Sequence, residues 1–294
     1  MLKAEQVYPS DLTDQQWECI HDLLPEARKG GRPRSTNIRC VINAIFYLNQ
    51  SGCAWRYLPK QYPKWQTVYD YYASWQRHGV LKRVHAFLVT KVRTSAKRNA
   101  SPSTLIIDCQ SAKARWGEQR GYDGFKKVQG RKRNILVDTL GLIHSVYVST
   151  ARRGDYIAAL EMLNPKSVYF PSTACASLNA FYADGGYRPH AFQKLVHKNF
   201  NVWPTFKMHQ KKQECFYNEE SQSWRYRQVF LESNLKPVRW IVERTFAWFS
   251  NYRRLSRDYE KKTTHSEAMI LVSMMQLMLR RLDRVKPYKR WANR

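Results

Sequence analysis

The chain has 294 residues, of which 43% are hydrophobic and 14% aromatic, enough to core one large domain or two modest ones and too apolar for a disordered protein. Its 50 Lys and Arg against 23 Asp and Glu leave a formal charge of +27, which suits a surface that follows DNA or RNA and releases its counterions. The six Cys, at 19, 40, 53, 109, 175 and 215, show no zinc-ligand spacing, no secretory signal stands before them, and no apolar run approaches the ~20 residues of a membrane span, so a cytoplasmic chain with reduced thiols is expected.

Counted by thirds, the charge is +9 over 1–100, +7 over 101–200 and +11 over 201–294, so the excess is not confined to a tail. Ser10 to Asp14 supplies helix-start residues before Gln15–Leu24, where Trp17, Ile20 and Leu24 share a face and Pro25 stops the helix. Lys29-Gly30-Gly31-Arg32-Pro33-Arg34 reads either as a solvated linker or as an arm along an A·T-rich minor groove, with Arg32 and Arg34 reaching inward. Ser35 or Thr36 caps a second helix, in which Ile38, Val41, Ile42, Ile45, Phe46 and Leu48 make a wide apolar surface and Gly52 lies just past the end. Trp65–His78 carries Val68, Tyr69, Tyr72 and Trp75 at helical intervals. A helix-turn-helix would set Lys64, Gln66 and Thr67, at the exposed start of this helix, against base edges. The connection through Pro59 and Pro63 is longer than a tight turn, so a plain helical bundle is the competing reading. Leu81–Thr94 adds a fourth helix, and a polar stretch near 95–103 marks a domain border.

Thr104-Leu105-Ile106-Ile107-Asp108 is an apolar, β-prone run ending in a carboxylate, which projects Asp108 from a buried strand end. Residues 111–130 read as a loop, and Lys126, Lys127, Arg131, Lys132 and Arg133 as a phosphate-contacting rim beside the carboxylates. Asn134–Leu140 and Leu142–Ser149 form a hairpin turned around Gly141; Asp138 is open to reading as a fourth site acid, but an Asp so close to a hairpin turn is more often structural. Asp155 reads as the N-cap of a helix over Tyr156–Leu163. Ala180–Asp184 repeats the design of 104–108, and Gly185-Gly186 lets the chain turn sharply and leave the acid at the strand tip. After a helix from Pro189 and a strand at Asn201–Phe206, residues 207–234 are aromatic and weakly patterned. They read either as a surface excursion or as an insertion holding DNA ends, with Trp224, Tyr226 and Phe230 stacking on unpaired bases. From Arg239 to Arg254, Trp240, Ile241, Trp248 and Phe249 recur with helical spacing, while Arg239, Glu243, Ser250 and Arg254 share a polar stripe. Glu267–Leu282 is an apolar core helix, and Arg280–Arg294 a basic tail. Two strand-end aspartates and a helical glutamate can converge on a hard divalent cation that leaves room for phosphate and water.

Five ordered blocks carry a family likeness: Leu105-Ile106-Ile107-Asp108-Cys109-Gln110-Ser111, Gly121-Tyr122-Asp123, Gly130-Arg131-Lys132-Arg133-Asn134-Ile135-Leu136-Val137-Asp138-Thr139, Ala183-Asp184-Gly185-Gly186-Tyr187-Arg188 and Trp240-Ile241-Val242-Glu243-Arg244-Thr245-Phe246-Ala247-Trp248. Together they resemble the bacterial DDE transposases of the insertion sequence five family, from about Tyr8 to about Leu282. The resemblance implies an α/β, RNase H-like catalytic domain over 99–283, a mixed sheet flanked by helices with an insertion at about 207–235. A helix-turn-helix-like DNA-binding domain over 1–98 would precede it and a basic tail over 284–294 would follow. It implies that Asp108, Asp184 and Glu243 share two magnesium ions, with manganese as a substitute, to cleave double-stranded DNA at terminal inverted repeats and join it to target DNA. Arg239, one turn before Glu243, matches the arginine that precedes the glutamate in the wider family, and either clamps the scissile phosphate or orients Glu243. Lys236 and Ser250 stand where the sister group has tyrosine and lysine, and Arg253 and Arg254 are candidates to cover the missing charge. Paired ends imply a homodimer or higher assembly on DNA, associated with the nucleoid and not with a membrane. The competing reading is a DNA-binding repressor that keeps the scaffold and has lost cleavage; the three acids in context argue against it.

Overall fold

The computed structural model describes residues 8–27, 30, 33–170, 178–206, 210–218, 222–231 and 238–283, with 210–218 and 224–231 as backbone. Helix α1 (Asp14–Ile20) opens on a reciprocal cap: the Thr13 hydroxyl accepts from the Gln16 amide, and the Gln16 side chain returns to the Thr13 amide. α2 (Ile38–Ser51) starts at Asn37 and not at Ser35 or Thr36, because the Asn37 side-chain oxygen accepts from the amides of Arg39 and Cys40. α3 spans Trp65–Arg77 and α4 spans Val80–Ser95.

The apolar faces of these helices do not close a core of their own. Ile45, Val68, Leu88 and Val92 join Met269, Ile270, Met274 and Met278 of the late helix α8 (Thr263–Asp283) in one buried cluster that continues to Ile106, Ile135 and Val146 of the sheet. The border expected near residue 99 therefore separates elements but not cores. Arg93 of α4 fastens the junction, buried in an ion pair with Asp138 and donating to the carbonyls of Asn99 at 2.8 Å and Ser101 at 3.2 Å.

The sheet contains β1 (Thr104–Lys113), β2 (Gly121–Asp123), β3 (Val128–Asp138), β4 (Ile143–Thr150), β5 (Ala180–Ala183) and β6 (Pro204–Phe206). Its order is β2-β3-β1-β5-β6, with β4 also paired to β3. β1, β3 and β4 alternate in direction, whereas β5 and β6 run parallel to β1 and need the crossover helices α5 (Asp155–Met162) and α6 (His190–Phe200). Leu105, Ile107 and Phe181 face the layer that carries Ala158, Phe192 and Val196 of α5 and α6. Ile106, Ile135 and Val137 face the opposite layer, formed by α7 (Arg239–Phe249) and α8. This is the RNase H-like arrangement, a mixed sheet with helices on both faces.

Two local readings are corrected, and a third segment gains a structure that its pattern did not announce. The loop expected over 111–130 is in part strand, at 111–113, 121–123 and 128–130: Ser111, Ala112 and Lys113 extend β1 because they pair with Lys132, Arg131 and Gly130 across the ladder, a partnership invisible in their own pattern. Asp155 does not cap α5; Gly154 holds that position, and the Asp155 carboxylate pairs with Lys132 at 2.6 Å. The weakly patterned insertion forms a separate two-stranded sheet, β7 (Gln210–Asn218) and β8 (Ser223–Leu231), while the side chains of Trp224, Tyr226 and Phe230 lie outside the description. The Gly141 turn forms as expected at φ +76°, with Asp138 Oδ1 accepting from the amides of Leu140 at 2.9 Å and Leu142 at 3.0 Å. Among the described residues no helix is long and apolar enough to cross a membrane.

Candidate active site

The two aspartates owe their proximity to strand register. Thr104, Leu105 and Ile106 of β1 stand level with Ala180, Phe181 and Tyr182 of β5, an offset of 180 − 104 = 76 residues. The same offset, 184 − 108 = 76, separates Asp108 from Asp184, whose extended backbone (φ −84°, ψ 174°) prolongs β5. Neighbouring parallel strands lie about 4.8 Å apart and level residues point to one face, so both carboxylates open toward the α7 and α8 layer. Past Ala183 the chain turns through Gly185-Gly186, where the Gly186 amide donates to Asp184 Oδ1 at 2.6 Å.

Helix α7 packs against that face through Ile241, Val242 and Phe249, which leaves Arg239 and Glu243 exposed on the stripe expected from the sequence. Arg239 Nε holds Glu243 Oε1 at 2.9 Å. Among the described residues no three His, Cys, Asp or Glu side chains already form a metal-holding group. The aspartates are brought level, but Glu243 is engaged by Arg239, so the gathering expected of all three acids is incomplete.

Burial lifts the Asp108 carboxyl from 3.8 to about 6; its hydrogen bond from the Cys109 amide opposes the rise, Asp184 adds to it, and the cations Arg239 and Lys126 counter it. A desolvated carboxylate beside a second carboxylate, offering only oxygen, suits a hard divalent cation such as magnesium, which would relieve the strain on its charge. The donors therefore fit the cation implied by the family likeness. Behind the strand, burial raises the Cys109 thiol and the Tyr187 phenol, so both stay neutral, and the Tyr187 hydroxyl is buried without a hydrogen-bond partner.

The cation run on β3 divides by strand parity, and most of it is internal. Arg131, 0% exposed, pairs with Asp258 at 3.1 Å and donates to the carbonyls of Glu118, Glu260 and Lys261. Arg133, 2% exposed, donates to the carbonyls of Leu255 at 2.8 Å and Arg257 at 3.2 Å. Lys132 turns to the other face and meets Asp155 at 2.6 Å and Asp123 at 3.8 Å. Arg254 is likewise buried, on Glu260 at 2.8 Å and the Cys53 carbonyl at 2.9 Å. The expectation that Arg131, Lys132, Arg133 and Arg254 meet DNA is corrected, because each is buried and already engaged inside the fold, Arg131, Lys132 and Arg254 by carboxylates and Arg133 by carbonyls. Lys126 and Lys127 are exposed, and Lys126 Nζ donates to the Cys109 carbonyl at 3.2 Å, next to Asp108. Lys64, Gln66 and Arg253 are exposed, Thr67 is half-buried, and Arg34 is exposed and donates to the Pro25 carbonyl at 3.0 Å; Arg32 lies outside the described residues.

Sequence reasoning missed the support beneath the site. Asp123, 6% exposed, accepts from Ser111 Oγ at 2.6 Å and from the amides of Phe125 at 3.1 Å and Lys126 at 3.0 Å. Burial alone would raise its carboxyl, but those donors and Lys132 hold it below the usual range. The only advance signal was that Asp123 closes the Gly121-Tyr122-Asp123 block.

The sequence model of a family described as "Transposase DDE domain" matches residues 99–278, the whole sheet with α5 to α7 and most of α8. The chain belongs to the DDE transposases. A second model, described as "Putative transposase of IS4/5 family", matches residues 12–85 of the transposase, which take in α1 to α3 and the start of α4. The transposase is also 33% identical over 103 residues to "Uncharacterized protein y4sN" of Sinorhizobium fredii (strain NBRC 101917 / NGR234), across 35% of its own length and 76% of that relative.

Proposed function

We propose that this transposase binds the terminal inverted repeats of an insertion sequence through its N-terminal helices, cuts the DNA at those ends and joins the freed ends to target DNA. The observation that carries the reading is the parallel register of β1 and β5 at 104–106 and 180–182, which extends to set Asp108, midway along β1 and not at the strand end expected of it, level with Asp184 just past β5, on the face toward the helix that presents Glu243. Asp108, Asp184 and Glu243 would hold magnesium, which when bound supplies a Lewis acid to the phosphate oxygens and lowers the pKa of an attacking water.

The side chains then have separable tasks. Above about pH 6 Asp108 is ionised and able to hold a cation. Glu243 leaves Arg239 to complete the carboxylate set, and the freed guanidinium turns its paired donors to the scissile phosphate. The exposed Lys126 and Lys127 steady the flanking backbone, while Lys64, Gln66 and Thr67 at the start of α3 read the repeat. A second copy of the chain holds the other end.

The test is incubation of the full-length protein with labelled DNA from either side of its coding region, in magnesium. Nicks at the repeat boundary are expected from the wild type, with a loss of at least about a thousandfold in Asp108→Ala, Asp184→Ala and Glu243→Ala. Cleavage undiminished in the three variants overturns the assignment of the acids, and tight binding without any cleavage favours the repressor reading.

A further inference from the structure

We infer that Phe125 is a DNA wedge, its ring entering the base stack beside the phosphate to be cut; the inference rests on the proposed reading of the site as one that cleaves DNA ends. Phe125 is 96% exposed, more than any other large apolar side chain among the described residues. The turn that presents it is built and anchored. Buried Asp123 accepts from the Phe125 and Lys126 amides through Oδ1 and from Ser111 Oγ through Oδ2, with the Lys132 ammonium 3.8 Å away. Lys126 reaches back to the carbonyl of Cys109 at 3.2 Å, near enough for its charge to act on the Asp108 carboxyl. A buried acid, two amides and a lysine thus hold an aromatic ring out in water beside the candidate catalytic carboxylates.

Charge selects the partner. Lys126 and Lys127 follow the ring directly and are both exposed. An apolar protein groove closing over Phe125 would strip water from two ammonium groups without offering them a counter-charge. A base step offers an apolar slot for the ring and a phosphate on either side for the lysines. Apolar rings inserted at such steps unstack the bases and kink the duplex, which exposes a backbone bond that a smooth helix keeps close to its neighbours. Stacking on the ring tolerates any base, so the wedge would act at the cut without reading its sequence.

The experiment uses full-length protein on its end DNA, with 2-aminopurine placed in turn at each nucleotide flanking the cut and calcium replacing magnesium so that DNA is bound uncut. The wild type is expected to raise the fluorescence severalfold at one position. Asp108→Ala should keep that rise, because the wedge acts before chemistry. Phe125→Ala should lose the rise and weaken binding by about tenfold, with an unchanged melting temperature because the ring is exposed, and Phe125→Leu should restore much of the signal. Two outcomes overturn the wedge: the same rise in Phe125→Ala as in the wild type, or binding without a rise at any position. A change in the sedimentation of DNA-free Phe125→Ala would do the same, by assigning the ring to a contact between copies of the chain. Failure of the wild type to bind either end would instead remove the DNA-end reading beneath it.

Discussion

Replacing Asp108 by asparagine should make the metal-free protein more stable at neutral pH. Burial, the largest cause, lifts the carboxyl from 3.8 to about 6. A raised acid holds its proton more tightly in the folded chain, so stability is lost as pH rises through the window between about 4 and 6, and the full cost stands above it. The shift of 6 − 3.8 = 2.2 units, at 1.36 kcal/mol per unit, is about 3 kcal/mol. Asp108 is only partly buried, and water screens part of that cost, so a gain of about 1–3 kcal/mol is expected. Asparagine keeps the side-chain oxygen that accepts from the Cys109 amide at 2.8 Å, so the substitution removes the charge and little else. Urea unfolding in EDTA measures the difference: the variant should exceed the wild type by that amount at about pH 7.5 and match it below about pH 4. A wild type as stable as the variant at neutral pH, or an equal gain in acid, would refute the claim that the fold holds this carboxylate at a cost.

Arg131→Met should destabilise the protein by about 3–5 kcal/mol, because Asp258 is then buried without its counter-ion, while the salt dependence of DNA binding stays unchanged; chemical unfolding and binding titrations read the two effects. Arg239→Gln should change stability by less than about 1 kcal/mol, since its pair with Glu243 is exposed, yet slow cleavage by about a hundredfold in a single-turnover assay. Gly130→Ala should cost about 3 kcal/mol or more, seen as a lowered melting temperature or loss of soluble protein, because a Cβ would meet the Ala112 carbonyl oxygen at 1.9 Å.

The order of the three candidate acids was legible because local chemistry announces it. An apolar run ending in Asp108, a second ending in Asp184 before two glycines, and an amphipathic stripe holding Glu243 each carry their signal within a dozen residues, and the strand register then brings the aspartates level. The Gly141 hairpin and the helices α2 to α4 were legible for the same reason. The run from Arg131 to Arg133 was not: cations read as surface unless carbonyls from 255–261, more than a hundred residues on, are known to receive them. Strand character at Ser111 to Lys113 was hidden for a related reason, since it comes from the facing residues of β3 and not from alternation. The engagement of Glu243 by Arg239 is one of the two roles the sequence leaves open for the arginine, because helical spacing permits the pair without requiring it. The shared core of the N-terminal helices and α8 joins residues more than two hundred positions apart, and no window of sequence contains it.

Whether residues 108, 184 and 243 make one cation site is tested most directly by titrating manganese into the protein bound to its uncut DNA end and counting the bound ions by electron paramagnetic resonance. The predicted result is a pair of ions in the wild type, with affinity reduced by at least about tenfold in each of Asp108→Asn, Asp184→Asn and Glu243→Gln. The same affinity and the same number of ions in all four proteins would contradict it.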